Sequence, residues 1–343
     1  MRHINIPIFI PHLGCPNQCV FCNQRTISGQ ESFDLNAVAQ QIEGVLATAE
    51  NAECEIAFFG GSFTGIDRDL MISLLEIAYA YVLSGRVASI RCSTRPDYID
   101  DEVLQVLKKY GVKTVELGIQ SISDSVLSIS KRGHDFEATR RASKLVIDNG
   151  FSLVGQMMVG LPTATLLDEI KTAEFIASVG ATAARIYPTV VFKDTELCSM
   201  AGMGEYIPLS VDEAVYRSAK VYEVFLNAGV KVIRVGLCAS ENLTDEDKYY
   251  GGPNHSALGE LVENEVYYSL IKKEFESLGE TSGRIYNVFV PRGAMSKAIG
   301  QRKKNRIRLT QEFSLKDIRF IEDDTIDAFS IRLEQERNRA GCT

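Results

Sequence analysis

The sequence predicts an α/β fold built around a parallel sheet, followed by a smaller α+β extension. Over the first two-thirds of the chain, short apolar runs alternate with helical segments. Several of these helical segments stop at a glycine, as at Gly111, Gly150 and Gly180. Strands that are apolar almost throughout are typical of parallel sheets, which helices cover.

Six strand–helix units follow one another along the chain, and a seventh apolar run, Val230–Val235, extends the sheet or closes its edge. The predicted strands are Ile4–Ile10, Glu55–Phe59, Ala88–Ser93, Lys113–Gly118, Ser152–Val159 and Ala181–Tyr187. The predicted helices are Leu35–Thr48, Asp69–Val82, Asp101–Tyr110, Phe136–Asn149, Leu167–Val179 and Val211–Asn227.

A change of composition near residue 238 divides the chain into a first domain, 1–238, and an extension, 239–343. The extension opens with the polar stretch Ser240–Tyr249 and continues with a helical pattern over Leu258–Leu278. Its short strand candidates predict a small, mostly antiparallel sheet; they are Arg284–Val290, Arg306–Leu309, Ile318–Ile321 and Ala328–Ile331.

Composition excludes several classes of protein. The 343 residues carry a net charge of −8, which argues against a protein coated with nucleic acid but allows a local basic patch. The N-terminus lacks the pattern of a signal peptide, and no apolar run reaches the roughly 20 residues that span a bilayer. Eight cysteines in a chain of this length do not indicate a disulfide scaffold. We therefore expect a cytoplasmic protein that does not enter a membrane.

The most informative motif follows the first strand, where Cys15, Cys19 and Cys22 are spaced Cys-x3-Cys-x2-Cys. Thiolates are soft ligands, and three of them leave one coordination position open. One interpretation is a structural zinc site completed by His12 or a distant cysteine. The other is a 4Fe–4S cluster held by three cysteines. The chain has no second Cys-x2-Cys pair, which favours the cluster.

Unusual residues also follow the other predicted strands. The carboxyl ends of parallel strands meet at one edge of the sheet, where α/β proteins bind their ligands. These segments therefore predict a single site around the cysteines; they are residues 60–65, 94–97, 120–121, 160–162 and 187–188.

With these motifs together, the chain resembles the radical S-adenosylmethionine (SAM) superfamily. The cysteine spacing matches that family, as does the aromatic Phe21 before the last cysteine. Gly60, Gly61 and Ser62 resemble the family's Gly-Gly-Glu motif, with serine in place of the acid. The resemblance implies that the backbone carbonyls of these glycines accept hydrogen bonds from the amino group of SAM, which requires close approach.

Further stretches narrow the resemblance to the branch of the Elongator catalytic subunit and the oxygen-independent coproporphyrinogen oxidases. In that branch, residues matching Gln120 and Gln156 bind the ribose hydroxyls of SAM, and an arginine matching Arg132 binds its carboxylate. Gln156 stands where an aspartate is common, and Arg132 could instead complement a helix C-terminus. Ser93 stands where a glutamate can contact SAM. The stretches are 93–97, 118–121, 131–134, 156–162 and 185–188.

The resemblance implies a partial (βα)6 TIM-like barrel in which Cys15, Cys19 and Cys22 hold 4Fe–4S and SAM binds the remaining iron. One-electron reduction would cleave SAM to methionine and a 5′-deoxyadenosyl radical, with ferredoxin or flavodoxin as the electron donor. Elongator's acetyltransferase half is not expected here. His134 is expected to be an exposed turn residue, and Arg95 is either an ordinary salt-bridge residue or part of the site.

Two features address the substrate. Residues 302–308 carry five positive charges, which either contact RNA phosphates or form a solvated basic surface. His255 and Glu260 could form an acid–base pair over the barrel mouth, or belong to a surface loop. By analogy with Elongator, tRNA or another RNA is the first candidate substrate. The alternatives are a tetrapyrrole, a small metabolite, and a cluster-bearing binding protein such as a haem chaperone.

Overall fold

The computed structural model describes residues 2–10, 15, 19–23, 33–237 and 248–336. Seven parallel strands form one sheet in the order β1-β2-β3-β4-β5-β6-β8, curled into a partial barrel. This confirms the predicted fold class, and the seventh strand extends the sheet as the sequence suggested. The strands are β1 Arg2–Ile10, β2 Ala52–Gly60, β3 Ser89–Thr94, β4 Val112–Gln120, β5 Ser152–Val159, β6 Ala183–Pro188, β7 Val191–Phe192 and β8 Lys231–Val235.

Helices cover the outer surface of this sheet. Successive side chains along each strand point alternately to this outer surface and to the inner face of the barrel. In β1, Ile6 and Ile8 are fully buried against the helices. In β4, Val115 and Leu117 pack outward, whereas Glu116 between them points to the inner face of the barrel. The helices are α1 Ala37–Leu46, α2 Arg68–Leu83, α3 Asp101–Lys109, α4 Asp124–Ile129, α5 Phe136–Asp148, α6 Leu166–Ser178, α7 Glu196–Gly202 and α8 Val211–Asn227.

Capping residues explain where several helices begin. Asp100 and Asp135 each accept a hydrogen bond from the backbone N–H three residues later. Thr165 forms a reciprocal capping box with Asp168 at the start of α6. Asp100 and Thr165 begin the helices that follow β3 and β5, and Asp135 begins α5 after α4.

The extension has its own sheet and its own hydrophobic core, in which Tyr286, Val288 and Ile318 are buried. Its sheet has the order β11-β10-β12, in which β10 is parallel to β11 and antiparallel to β12. The prediction of a mostly antiparallel sheet was therefore wrong for one of the two pairings. The elements are β9 Tyr249–Gly251, which pairs with β7, α9 Leu258–Ser277, β10 Ile285–Val290, α10 Met295–Ile299, α11 Lys304–Glu312, β11 Asp317–Glu322 and β12 Arg332–Gln335.

Two predicted strands of the extension were wrong. Arg306–Leu309 lies inside helix α11, where Leu309 is fully buried and Ile307 is half exposed. Residues 328–331 form a turn before β12, in which Phe329 has φ +55°. The ring of Phe329 packs between Tyr222 of the barrel and Tyr267 of the extension, with centroids 5.1 and 5.4 Å away. This residue therefore joins the two parts of the molecule.

The predicted boundary between residues 238 and 239 lies outside the described residues and stays a prediction. Among the helices that the structure describes, none has the length and apolarity required to cross a bilayer.

Candidate functional site

The cysteine segment lies at the carboxyl edge of the sheet, beyond β1, and is held by two distant parts of the barrel. The backbone N–H of Val20 donates to the carbonyl of Ser130 at 3.2 Å, and its carbonyl accepts from the N–H of Leu197 at 2.8 Å. Val20 and the neighbouring Phe21 also pack against an apolar cluster that includes Leu197. These contacts anchor the cysteine segment between the loop after α4 and the start of α7.

Arg132 connects this segment to β4. Its Nη1 donates to the sulfur of Cys19 at 3.3 Å, and its Nη2 donates to the carbonyl of Gly118 at 2.8 Å. Cys19 and Arg132 are both buried. The guanidinium of Arg132 therefore bridges the cysteine segment and the carboxyl end of β4. Arg132 follows α4, but its contacts lie in the site, so the helix-terminus alternative does not describe its main role.

Cys15 and Cys22 are more accessible than Cys19. Protein atoms around the Cys15 sulfur raise the pKa of its thiol, whereas the positive charges of Arg95 and Arg132 act in the opposite sense. The backbone of Ser62 hydrogen-bonds to Cys15, and the charge of Cys19 also acts on it. The structure thus gathers Cys15 and Cys19 around two buried guanidinium groups.

A structural zinc site would require several ligands around a single ion. Within the described residues, no group of three or more His, Cys, Asp or Glu side chains is close enough to hold one ion. His12, the suggested fourth zinc ligand, lies outside the described residues. The same finding covers Cys15, Cys19 and Cys22, so it does not separate the zinc interpretation from the cluster.

The glycine segment after β2 approaches β1 closely. Gly60 has φ +112°, and a Cβ atom there would lie 2.8 Å from the carbonyl oxygen of Ile10. Gly61 donates its N–H to that same oxygen at 2.9 Å. Only glycine fits at residue 60, which leaves the backbone beside the cysteine segment open to a ligand.

The hydroxyl of Ser62 faces the protein. It is fully buried, lies 2.8 Å from Oγ1 of Thr94, and accepts from the N–H of Arg95 at 3.3 Å. Where the related motif has an acid, this chain therefore has a side chain that ties β2 to β3. Any contact of Ser62 with SAM is predicted to come from its backbone.

Gln120 ends β4 in an unusual conformation. It has φ +65°, and the register between β4 and β5 shifts between Gly118 and Gln120. Its Oε1 is buried and has no hydrogen-bond partner among the described residues. Buried polar atoms without partners are rare, and left-handed non-glycine residues concentrate at functional sites. Gln120 thus has the geometry of a ligand-binding residue.

Gln156 lies on the inner face of β5, and its amide Nε2 is already engaged. It donates to Oε2 of Glu116 at 2.8 Å and to the hydroxyl of Ser93 at 3.2 Å. The carbonyl oxygen of the side chain is therefore the group that Gln156 can offer to a ribose hydroxyl.

Glu116 is the centre of a buried ionic ladder across the inner face, which we call the inner wall. Its carboxylate accepts from Nη1 of Arg91 at 2.8 Å and from Nε of Arg185 at 2.9 Å. Burial alone would raise the pKa of Glu116, but the guanidinium groups of Arg185 and Arg91 outweigh it and hold the pKa below its ordinary value. Arg91 also pairs with Glu55 of β2, so two carboxylates face two guanidinium groups.

The inner wall was missed at the level of sequence. The available signal was a charged residue inside each of four otherwise apolar strands. Such residues must pair when buried, because an isolated charge in a protein interior is very costly. The residues are Glu55, Arg91, Glu116 and Arg185.

His134 is buried, and its prediction as an exposed turn residue was wrong. Its side chain is 0% exposed, with Nδ1 3.9 Å from Oδ1 of Asp97. Burial and the positive charge of Arg132 lower the pKa of His134 to about 4, against the effect of Asp97. The imidazole is therefore neutral near pH 7.

Arg95 is also buried, at 3% exposure. Two of its nitrogens donate to the carboxylate of Asp97 at 2.9 and 2.7 Å, and its Nη1 has no hydrogen-bond partner among the described residues. Nη1 of Arg95 and Oε1 of Gln120 thus lie buried at the edge of the sheet as a donor and an acceptor without partners among the described residues. Such a pair fits the carboxylate and hydroxyl groups of SAM.

His255 and Glu260 are not brought together. Both are exposed, and no ion pair joins them in residues 248–336. The ring Nδ1 of His255 accepts from the N–H of Ala257 at 3.1 Å, beside the start of α9. Their role as an acid–base pair stays a prediction.

Comparisons with known proteins agree with this geometry. Residues 9–176 match the model of the radical SAM superfamily, and residues 181–268 match that of the Radical_SAM C-terminal domain. The chain belongs to the radical SAM superfamily. The predicted family and enzyme class are thereby confirmed, and the superfamily implies a 4Fe–4S cluster with SAM.

Individual relatives include Elongator proteins. A tRNA uridine(34) acetyltransferase of Methanocaldococcus infernus is 34% identical over 38% of this chain and 25% of its own length. Human Elongator complex protein 3 is 25% identical over 62% of this chain and 46% of its own. A putative methylthiotransferase of Methanocaldococcus jannaschii is 28% identical over 63% of this chain and 51% of its own. The chain thus spans only part of the length of these relatives.

Among solved structures, the archaeal Elp3 of Methanocaldococcus infernus has a TM-score of 0.63 at 21% identity, over 80% of this chain and 64% of that one. The likeness at this level of identity confirms the fold of this radical SAM protein.

Proposed function

We propose that this radical SAM protein acts on a base of RNA, with tRNA as the first candidate. The observation that carries the proposal is the charge balance of the inner wall. Two carboxylates, Glu55 and Glu116, face Arg91 and Arg185, so the wall is close to neutral. A neutral wall with hydrogen-bonding groups suits a nucleobase, which is polar and uncharged.

The tetrapyrrole alternative fits this wall less well. A porphyrinogen carries several carboxylates, and its recognition calls for unpaired arginines. Both wall arginines are already engaged by buried carboxylates. A small neutral metabolite is compatible with the wall, and it is the second candidate for this reason.

The cofactors fit the residues at the carboxyl edge. We infer that Cys15, Cys19 and Cys22 hold the 4Fe–4S cluster, while the backbone of Gly60 and Gly61 faces the amino group of SAM. When bound, the reduced cluster supplies the electron that splits SAM and yields the 5′-deoxyadenosyl radical.

The chain's own residues orient SAM. Arg132 lies where it can pair with the carboxylate of SAM while it donates to the sulfur of Cys19. Gln120 and the carbonyl oxygen of Gln156 are suited to the ribose hydroxyls, and Phe21, within the cysteine segment, packs against the apolar cluster that includes Leu197. His255 and Glu260 are proposed to act later, on the substrate, as an exposed acid–base pair.

The test is substrate-dependent release of 5′-deoxyadenosine. Anaerobically reconstituted protein receives SAM and a reductant, either dithionite or a ferredoxin or flavodoxin system. Parallel reactions contain unmodified tRNA, coproporphyrinogen or a protein-free metabolite extract. We expect tRNA to raise the yield of 5′-deoxyadenosine well above the substrate-free background. Deuterium placed on the target base should appear in the 5′-deoxyadenosine that is released.

Stimulation by coproporphyrinogen instead of tRNA would overturn the RNA assignment. Absence of 5′-deoxyadenosine under every condition, with an intact cluster, would favour the cluster-bearing binding protein. For the exposed pair, His255→Asn should lower product formation while leaving SAM affinity unchanged. Unaltered turnover in that variant would remove His255 from the mechanism.

A further inference from the structure

The loop that joins α10 to α11 in the extension has an unusual backbone. Residues 300–303, which we call the Gly300 loop, include Gly300 with φ +78°, Arg302 with φ +52° and Lys303 with φ +62°. Two adjacent non-glycine residues in the left-handed region are uncommon, because the Cβ atom crowds the backbone there. Such strain persists only where the surrounding structure enforces it.

The structure around Asn305 enforces this conformation. Asn305 is buried at 2% exposure, and its side-chain amide donates to the carbonyls of Asn264 at 2.7 Å and Ala298 at 3.2 Å. A Cβ atom on Gly300 would lie 2.9 Å from Cγ of Asn305. The loop is therefore packed tightly onto α11 and presents its side chains from a rigid base.

The five positive charges of residues 302–308 are not equivalent. Lys304 pairs with Asp212 at 3.1 Å, Arg306 with Asp317 at 2.8 Å, and Arg308 with Glu265 at 2.6 Å. Arg302 and Lys303 are exposed and make no ion pair with the rest of the described chain. The two unpaired cations are thus the two residues that the strained loop presents.

A cavity of about 450 Å³ adjoins the Gly300 loop. Arg302 lines one side of it, Ile307 and Leu261 form an apolar wall, and Asp212 marks the first turn of α8. Helix α9 starts close to the end of β8, since a Cβ atom on Gly259 would lie 3.4 Å from the carbonyl oxygen of Val235. The first turns of α8 and α9 line the cavity, which therefore lies near the carboxyl edge of the barrel, the edge that carries the cysteines.

The order of elements around the loop is strand, helix, loop, helix, strand, with β10 and β11 parallel neighbours. In KH-type RNA-binding modules, a Gly-x-x-Gly loop between two helices clamps the backbone of about four nucleotides. Here Gly300 takes the first glycine position, and Lys303 takes the second in the left-handed conformation that glycine favours. The loop thus has positive φ at both of these positions and carries a lysine in place of the second glycine.

We propose that the Gly300 loop and the adjoining cavity clamp the phosphate backbone of single-stranded RNA. Arg302 and Lys303 contact phosphates, and a base packs on the apolar wall of Ile307. This clamp rests on the proposed function in one respect, namely that RNA is the natural ligand of the protein. It gives the extension a binding role of its own, separate from the cluster and the inner wall.

The test measures binding to a labelled single-stranded RNA of about 12 nucleotides, three times the length that such a loop holds. Fluorescence anisotropy is recorded between about 0.05 and 0.2 M salt. The double variant Arg302→Gln with Lys303→Gln should bind about 25-fold more weakly at about 0.1 M salt, with a salt slope smaller by about 1.4, because two phosphate contacts are lost.

The matched control is Lys273→Gln with Arg292→Gln, which removes the same charge from exposed positions of the extension outside the loop. It should bind within about twofold of the unchanged protein. Lys303→Gly retains the loop geometry but loses one cation, so about fivefold weaker binding is expected. Circular dichroism and melting curves verify that all variants fold.

Equal losses in the loop variant and the control would overturn the clamp, as would equally tight binding of duplex RNA. Competition by millimolar inorganic phosphate as effective as that by RNA would indicate a small-anion site instead. Loop-dependent RNA binding without RNA-dependent 5′-deoxyadenosine would leave the clamp standing and refute the proposed function. If the loop variant binds RNA and turns it over as well as the unchanged protein does, the clamp is refuted and the proposed function stands.

Discussion

The inner wall and the carboxyl edge of the barrel differ in how far their buried polar groups are hydrogen-bonded. On the wall, Glu116 is surrounded by Arg91, Arg185 and Gln156, and its oxygens are fully engaged. At the edge, Nη1 of Arg95 and Oε1 of Gln120 are buried without partners among the described residues. Satisfied networks stabilise a fold, whereas unsatisfied buried atoms indicate where a ligand completes the structure.

The largest expected effect is at the edge, on the cysteine segment. Cys19→Ala removes a buried sulfur that Arg132 contacts, and we expect almost complete loss of cluster iron and of its absorbance after anaerobic reconstitution. Cys54→Ala, which removes a buried thiol from β2, should retain its iron. Iron content in the Cys19 variant equal to that of the unchanged protein would refute the ligand assignment.

Removing the central carboxylate of the wall should affect stability more than SAM binding. Glu116→Ala leaves Arg185 buried without its carboxylate partner and leaves Arg91 with Glu55 alone, so we expect a loss of about 3–5 kcal/mol in the free energy of unfolding. Urea denaturation at pH 7 measures this change. Because the folded-state pKa of Glu116 is lowered, its stabilising contribution is present above the unfolded pKa and declines as the pH falls. A change below about 1 kcal/mol would contradict the structural role of the wall.

A third prediction uses His134, behind the edge. The pKa of His134 is about 4 in the folded protein and near 6.5 when unfolded, so only the unfolded state gains a proton between these values. Stability should therefore fall as the pH is lowered from about 6.5 towards 4, by up to about 3 kcal/mol. His134→Gln should show a shallower pH dependence than the unchanged protein in urea titrations at pH 5 and 7.5. Parallel pH profiles would contradict the burial of this imidazole.

The smallest expected effect separates two residues that the sequence placed together in the SAM site. Gln120→Ala removes an unpartnered buried acceptor, so SAM should bind more weakly by about 1–3 kcal/mol, measured by calorimetry on cluster-loaded protein. Ser62→Ala removes a hydroxyl that faces Thr94, and it should change SAM affinity by less than about twofold. Equal losses of SAM affinity in the two variants would contradict the distinction between buried polar groups that are already hydrogen-bonded and those that face a ligand.

The sheet and its cysteine motif were predictable because periodicity and spacing are local properties. Ser152–Val159 is a strand with the predicted bounds, and Val211–Asn227 is a helix with the predicted bounds. The partners of individual side chains were not predictable. His134 was predicted as an exposed turn residue, but the left-handed residues Lys131 and Gly133 turn the chain after α4 so that this side chain is buried.

The helix α11 shows a second limit of local patterns. Alternation of arginine with Ile307 and Leu309 is typical of a half-buried strand, but two turns of helix place the same residues on different sides. Tertiary contacts decided between these alternatives, since Leu309 is buried in the extension and Arg308 lies over the ring of Tyr268. The pairing of Glu116 with strands on both sides likewise depends on the completed sheet.

The anchoring of Val20 has a consequence for how the cluster is acquired. Its two backbone hydrogen bonds reach Ser130 and Leu197, which are far from it in sequence, so the segment takes its position only after the barrel has folded. Cys19 and Cys22 flank this anchored stretch, and the conformational entropy of ordering it is lost during folding rather than at cluster insertion. For the cluster that we propose on these cysteines, this order of events predicts a preorganised site that is filled only after the barrel has folded.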